Sequence, residues 1–118
     1  MESILTSIKK LLGITEEYEH FDSDIIIHIN SVFMILSQIG IGPDQGFVLK
    51  DKFQTWNEFI GADDPSLEAV KTYTYLKVRL LFDPPASSIV TEAINRMVSE
   101  YEWRLNILAE TPKNKEEE

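Results

Sequence analysis

A chain of 118 residues with an ordinary apolar fraction is long enough to bury one core, and its aromatic content argues against disorder. It contains no cysteine, which excludes disulfides, thiolate metal sites and a cysteine nucleophile. Acidic side chains outnumber basic ones 20 to 11, and the resulting charge of −9 repels nucleic acid instead of attracting it.

The first element is a short amphipathic helix over residues 2–12. Ile4, Leu5, Ile8, Leu11 and Leu12 share one face, and Gly13 stands where a helix often ends in a left-handed residue. Lys9 and Lys10 interrupt the apolar positions, so the stretch does not read as a signal peptide. Asp22 and Asp24 then precede a long helix over 25–39, and either is placed to cap it. Ile25, Ile29, Val32, Phe33 and Leu36 form its main stripe. At about 100° per residue, Ile27 and Met34 fall on the opposite side. Two readings follow: a central helix packed on both faces, or one face inward and the other toward a neighbouring subunit. The run from 25 to 41 is too polar for a membrane span.

Gly40-Ile41-Gly42-Pro43 breaks this helix, and residues 46–51 read as loop with room for a short strand or hairpin. The glycines lack the spacing and the Lys-Ser/Thr ending of a phosphate-binding loop. Thr55-Trp56-Asn57-Glu58 matches a capping box and starts a short helix that Gly61 ends; Trp56 reads as core. Asp64-Pro65 supplies a cap and a first-turn proline for a helix running to Phe82. Ala69, Tyr73, Leu76 and Leu80 line one stripe of it, and Leu67, Val70, Val78 and Leu81 line a second. Asp83-Pro84-Pro85 stops it. Ser87 or Ser88 caps the last helix, over 89–109, whose inner stripe reads as Val90, Ile94, Met97, Tyr101, Leu105 and Leu108. Ile89, Trp103 and Ile107 lie outside that stripe among charges. The fold class is therefore all-α, a bundle of four to five helices over residues 1–110, with 111–118 as a disordered, charged tail.

No residues form a catalytic, cofactor or metal constellation. His28 sits one turn from Asp24, but a metal needs a third ligand from elsewhere, and a helix-start Asp beside a part-exposed His explains the pair. His20 lies in an acidic loop. Glu100 and Glu102 fall on different helix faces and make no acid/base pair. Trp103 with Ile107 carries more information. Four residues apart, they touch on the helix surface, and an aromatic with an aliphatic neighbour inside a charged rim is how interface anchors look. The competing reading folds Trp103 back on the first helix.

Two stretches resemble a known family. One is Asp24-Ile25-Ile26-Ile27-His28-Ile29-Asn30-Ser31-Val32 running to Gln38-Ile39-Gly40-Ile41-Gly42-Pro43. The other is Leu67-Glu68-Ala69-Val70-Lys71-Thr72-Tyr73 running to Leu76-Lys77-Val78-Arg79-Leu80-Leu81-Phe82-Asp83-Pro84-Pro85, followed by Glu102-Trp103-Arg104-Leu105. Together they resemble the small head-tail connector, or head completion, proteins of long-tailed phages and prophages. The resemblance implies a structural virion protein and not an enzyme. It implies a ring under the portal protein that extends the DNA channel, without sequence-specific DNA binding, and docks a stopper or tail-completion protein. It places the chain in the host cytoplasm during assembly and at the head-tail interface of the virion. Carried onto these residues, it makes Trp103, Ile107, Pro112 and Lys113 portal-side contacts. Ile27, Met34, Ile41, Pro43 and Phe47 become ring or channel residues. The alternative is a small helical adaptor or regulator, DNA-binding or directed against host defence, acting as monomer or dimer.

Overall fold

A computed structural model describes residues 2–61 and 63–110, and its extents are 48 × 34 × 20 Å. It is all-α, with five helices and no strand among the described residues. The first helix, α1 (Ile4–Leu12), begins where the Ser3 hydroxyl accepts the Thr6 N–H at 3.0 Å, and it ends at Gly13 with φ 85°. Ile4, Leu5 and Ile8 are buried, while Leu11, in the last turn at the edge of the bundle, stays half exposed.

The central helix α2 (Asp22–Ile39) starts earlier than its periodicity suggests and carries no side-chain cap. Asp22 and Asp24 sit in its first turn, where a carboxylate suits the helix dipole. Asp22 does not cap because its carboxylate turns to Lys9, 2.8 Å away. The C-terminus closes as a Schellman motif: Gly40 N–H donates to Ser37 O at 3.1 Å, and Ile41 N–H donates to Leu36 O at 2.9 Å. Gly40 takes φ 109°, which an L side chain resists.

The 40–55 connection is irregular, without the hairpin the sequence allowed. Its one β feature is an antiparallel bridge between Ser3 and Thr55. Side chains hold it instead. Asn30 accepts the Leu49 N–H at 2.7 Å and donates to its carbonyl at 3.0 Å, so Leu49 is pinned into the core. Phe33, Phe47, Trp56 and Phe59 form an aromatic cluster in which the Phe33 and Phe59 rings stack at 4.3 Å. Helix α3 (Trp56–Phe59) carries the capping box, with the Thr55 N–H donating to Glu58 at 3.1 Å. Trp56 is fully buried and its indole N–H donates to Ser7 Oγ at 2.7 Å.

Asp64 prepares α4 (Leu67–Phe82) by accepting the Ser66 N–H at 2.8 Å and its hydroxyl at 2.6 Å; the cap position itself is Ser66. Leu67, Val70, Tyr73, Leu76 and Val78 are buried, and Leu81 is not. The last helix, α5 (Ser88–Glu110), starts under Ser87, whose hydroxyl accepts the Val90 N–H at 3.3 Å. Its inner seam is Ile94, Val98, Tyr101 and Leu105, a 4-3-4 spacing that keeps one line of side chains against the bundle. Val90, Met97 and Leu108, expected inside, lie on the adjacent line and remain largely exposed. The α2–α4 pair is the spine, with α1 and α5 each packed against both of its members.

Candidate interaction surfaces

Helices this short carry apolar residues to bury them, so the outward ones need a separate account. On α2 the core line occupies one side. Ile27 and Met34, two turns apart on the other side, are 62% and 60% exposed. On α5, Trp103 is 63% exposed and Ile107 43%. Trp103 does not fold back on α1. It stands at a shallow groove between α2 and α5, lined by Ile35, Gln38, Ile39, Ser99, Glu102 and Asn106. One of its lining residues is held from below the surface: Tyr73, fully enclosed, donates its hydroxyl to the part-exposed Glu102 at 2.7 Å. Burial and the Glu102 carboxylate together push the Tyr73 hydroxyl well above the ordinary tyrosine range.

The expected ring or channel residues divide. Ile27 and Met34 are outward. Pro43 is half-buried in the wall of a cleft of about 550 Å³ at one end of the bundle, beside Gly42, Phe59, Ile60, Leu108 and Ala109. Ile41 is buried, because the Schellman closure folds it onto the Leu36 turn. Phe47 is half-buried, with its ring 5.9 Å from Phe33 and 5.4 Å from Phe59. Both side chains pack with the chain's own core, and Ile41 also lines that end cleft. Pro112 and Lys113 lie outside the described residues, as does the rest of the 111–118 tail.

The sequence reading missed Val48 and Phe53, both strongly exposed on the 40–55 connection. The available signal was an aromatic flanked by Lys52 and Gln54 in a segment with no periodicity to bury it. His28 lies near the Phe82 ring, at 6.3 Å, and His20 near Phe21, at 4.8 Å. Among the described residues there is no group of three or more His, Asp and Glu able to hold a metal, and no helix is long and apolar enough to cross a membrane.

The fold is a small helical bundle that leaves large apolar side chains, Ile27, Met34, Phe53 and Trp103 among them, on its surface. The chain belongs to the phage connector family: the family model described as "Phage connector protein" matches residues 4–112, nearly the whole chain. Its role is that of a structural component of the phage particle. No significant match was found among curated proteins or solved structures.

Proposed function

We propose that this chain assembles as a ring of identical subunits beneath the portal protein of a phage head, extends the DNA channel, and docks a stopper or tail-completion protein. The observation that carries this reading is Trp103, an exposed aromatic at the α2–α5 groove with Ile107 one turn away, in a chain of connector type. Anchors of this chemistry dominate protein interfaces because a large rigid ring buries much area for little lost entropy. Trp103 and Ile107, with Pro112 and Lys113 of the following tail, face the portal. Ile27, Met34 and Pro43 serve the ring or its channel. DNA passes without sequence-specific contact. Assembly takes place in the host cytoplasm, and the finished ring resides at the head-tail interface of the virion.

Electron microscopy of the chain mixed with the portal protein encoded beside it tests the reading. Ring density coaxial with the portal is expected. Trp103→Ala keeps its circular dichroism spectrum but binds the portal about 30-fold more weakly, or about 2 kcal/mol. Undiminished binding by that variant, or failure of the wild type to bind any portal, overturns the assignment. A monomer in isolation decides nothing, since assembly can require the portal template.

A further inference from the structure

A surface helix ordinarily sets charged residues opposite its core stripe. The outer side of α2 does not. No Asp, Glu, Lys or Arg occurs from Ile25 to Pro43, although such residues make up 26% of the chain. The outward line of the helix is Asp24, Ile27, Ser31, Met34 and Gln38, all of them exposed, and only its first member is charged. Ser31 lies between the two large apolar side chains. Its hydroxyl is turned back on its own helix, donating to Ile27 O at 3.2 Å. The middle of the line therefore offers a partner apolar side chains, with no charge to desolvate and a hydroxyl that is already bonded.

The line is complementary to itself when reversed. Ile27 stands four residues before Ser31 and Met34 three after, while Asp24 and Gln38 stand seven before and seven after. Two such helices laid antiparallel, with Ser31 at the crossing, bring Ile27 of each copy to Met34 of the other. Asp24 of each copy then lies beside Gln38 of the other, whose amide is a donor suited to a carboxylate. A small residue at the crossing lets the two axes approach to about 8 Å. Each helix N-terminus also comes beside the other's C-terminus, which suits both dipoles.

The charge of the chain selects a second copy for this surface. A two-fold contact sets a patch against its own likeness, so a patch rich in one sign of charge repels itself. On a chain of charge −9 that requirement excludes faces bearing an excess of carboxylates, and the charge-free side of α2 meets it.

We infer that free chains pair through α2 as an antiparallel, two-fold dimer centred on Ser31. This goes beyond the ring reading above. A two-fold contact closes at two copies, so the pair is a form of the chain that precedes a ring and covers Ile27 and Met34 until the copies part. One helix against one helix is a small interface, and the pair accordingly forms at high concentration and exchanges readily.

Sedimentation equilibrium of the full chain without any portal protein, from micromolar to millimolar concentration, tests the pairing. A monomer–dimer equilibrium is expected, and it shifts toward dimer as salt is raised, because screening removes the repulsion between acidic copies and leaves the apolar contact. Met34→Lys, at an exposed position, keeps its circular dichroism spectrum and weakens association at least tenfold. The chain has no cysteine of its own, so single cysteines report geometry. Ser31→Cys is expected to oxidise to a disulfide dimer faster than Phe53→Cys, which is exposed on the 40–55 connection. Mixed Ile27→Cys and Met34→Cys chains are expected to give the mixed dimer in excess over the two self-dimers. A free chain that stays monomeric at millimolar concentration and high salt overturns the pairing and leaves the ring reading standing. A dimer that survives Met34→Lys, or in which Ser31→Cys reacts no faster than Phe53→Cys, overturns it as well, since the contact then lies elsewhere. A wild-type chain that dimerises in this way but binds no portal keeps the pairing and removes the ring reading.

Discussion

Lys9 is the clearest case of one side chain organising distant backbone. It lies on the inner side of α1, 2% exposed, with its ammonium bonded to the carbonyls of Glu16 and Tyr18 at 3.0 and 2.7 Å and paired with Asp22. A buried cation is costly unless every proton is used, and here two carbonyls of the α1–α2 connection and one carboxylate at the start of α2 use them. Lys9→Met strands Asp22 and two carbonyls. Because Asp22 keeps 19% side-chain exposure, the loss falls at the low end for a broken buried pair, about 3 kcal/mol, seen as a lower urea midpoint at unchanged slope. Tyr73 gives a pH signature. Its folded hydroxyl holds the proton more tightly than in the unfolded chain, through burial first and Glu102 second. That contribution is fully present below the unfolded tyrosine value, about 10, and fades as pH climbs past it toward the folded value. Tyr73→Phe therefore costs about 1 kcal/mol near neutrality, and its stability falls less steeply than the wild type's above pH 10 or so. Denaturant titrations at a series of alkaline pH values compare the two slopes.

Among the elements, α5 is where packing and periodicity part. Val98 is buried and Met97 largely exposed, so Val98→Ala costs about 2 kcal/mol while Met97→Ala stays under about 1 kcal/mol, both read from thermal or urea unfolding. A sequence reading that placed Met97 inside predicts the reverse order. The reason is geometric: Val90, Met97 and Leu108 run parallel to the true seam, and only the position of α4 selects between neighbouring lines. Elements closed by local chemistry were fully legible. Gly13 ends α1, Thr55 and Glu58 start α3, and Asp83-Pro84-Pro85 stops α4, each through bonds within a few residues. The start of α2 was not, because Asp22 is claimed by Lys9, thirteen positions away. The same division holds at the surfaces. Helical phase set Ile27, Met34 and Trp103 off the core stripes but left open whether a second layer covers them, and the fold leaves all three exposed. The burial of Ile41 and the half-burial of Phe47 depend on the Schellman closure and the aromatic cluster, and the exposure of Phe53 depends on a loop with no period to read.

At the scale of the whole molecule, charge sets what the chain avoids. Of its 11 basic residues, Lys9, Lys10, Lys52, Lys71 and Arg104 are paired with carboxylates, and the excess of 9 negative charges is spread over the surface around them. Phosphate binding draws its free energy from releasing counterions as cations neutralise the backbone, so it needs free cations gathered on one face. The net charge of −9 opposes approach at distances beyond contact. The conduit role proposed above gains from this, since a wall that does not hold phosphates lets the duplex slide. The expected measurement is fluorescence anisotropy of a labelled duplex titrated with the chain: no binding at low ionic strength, where any basic patch binds most tightly, and no change as salt is raised. A complex that forms at low salt and weakens steeply with added salt would reveal a cationic face and return the duplex-binding regulator as the better account.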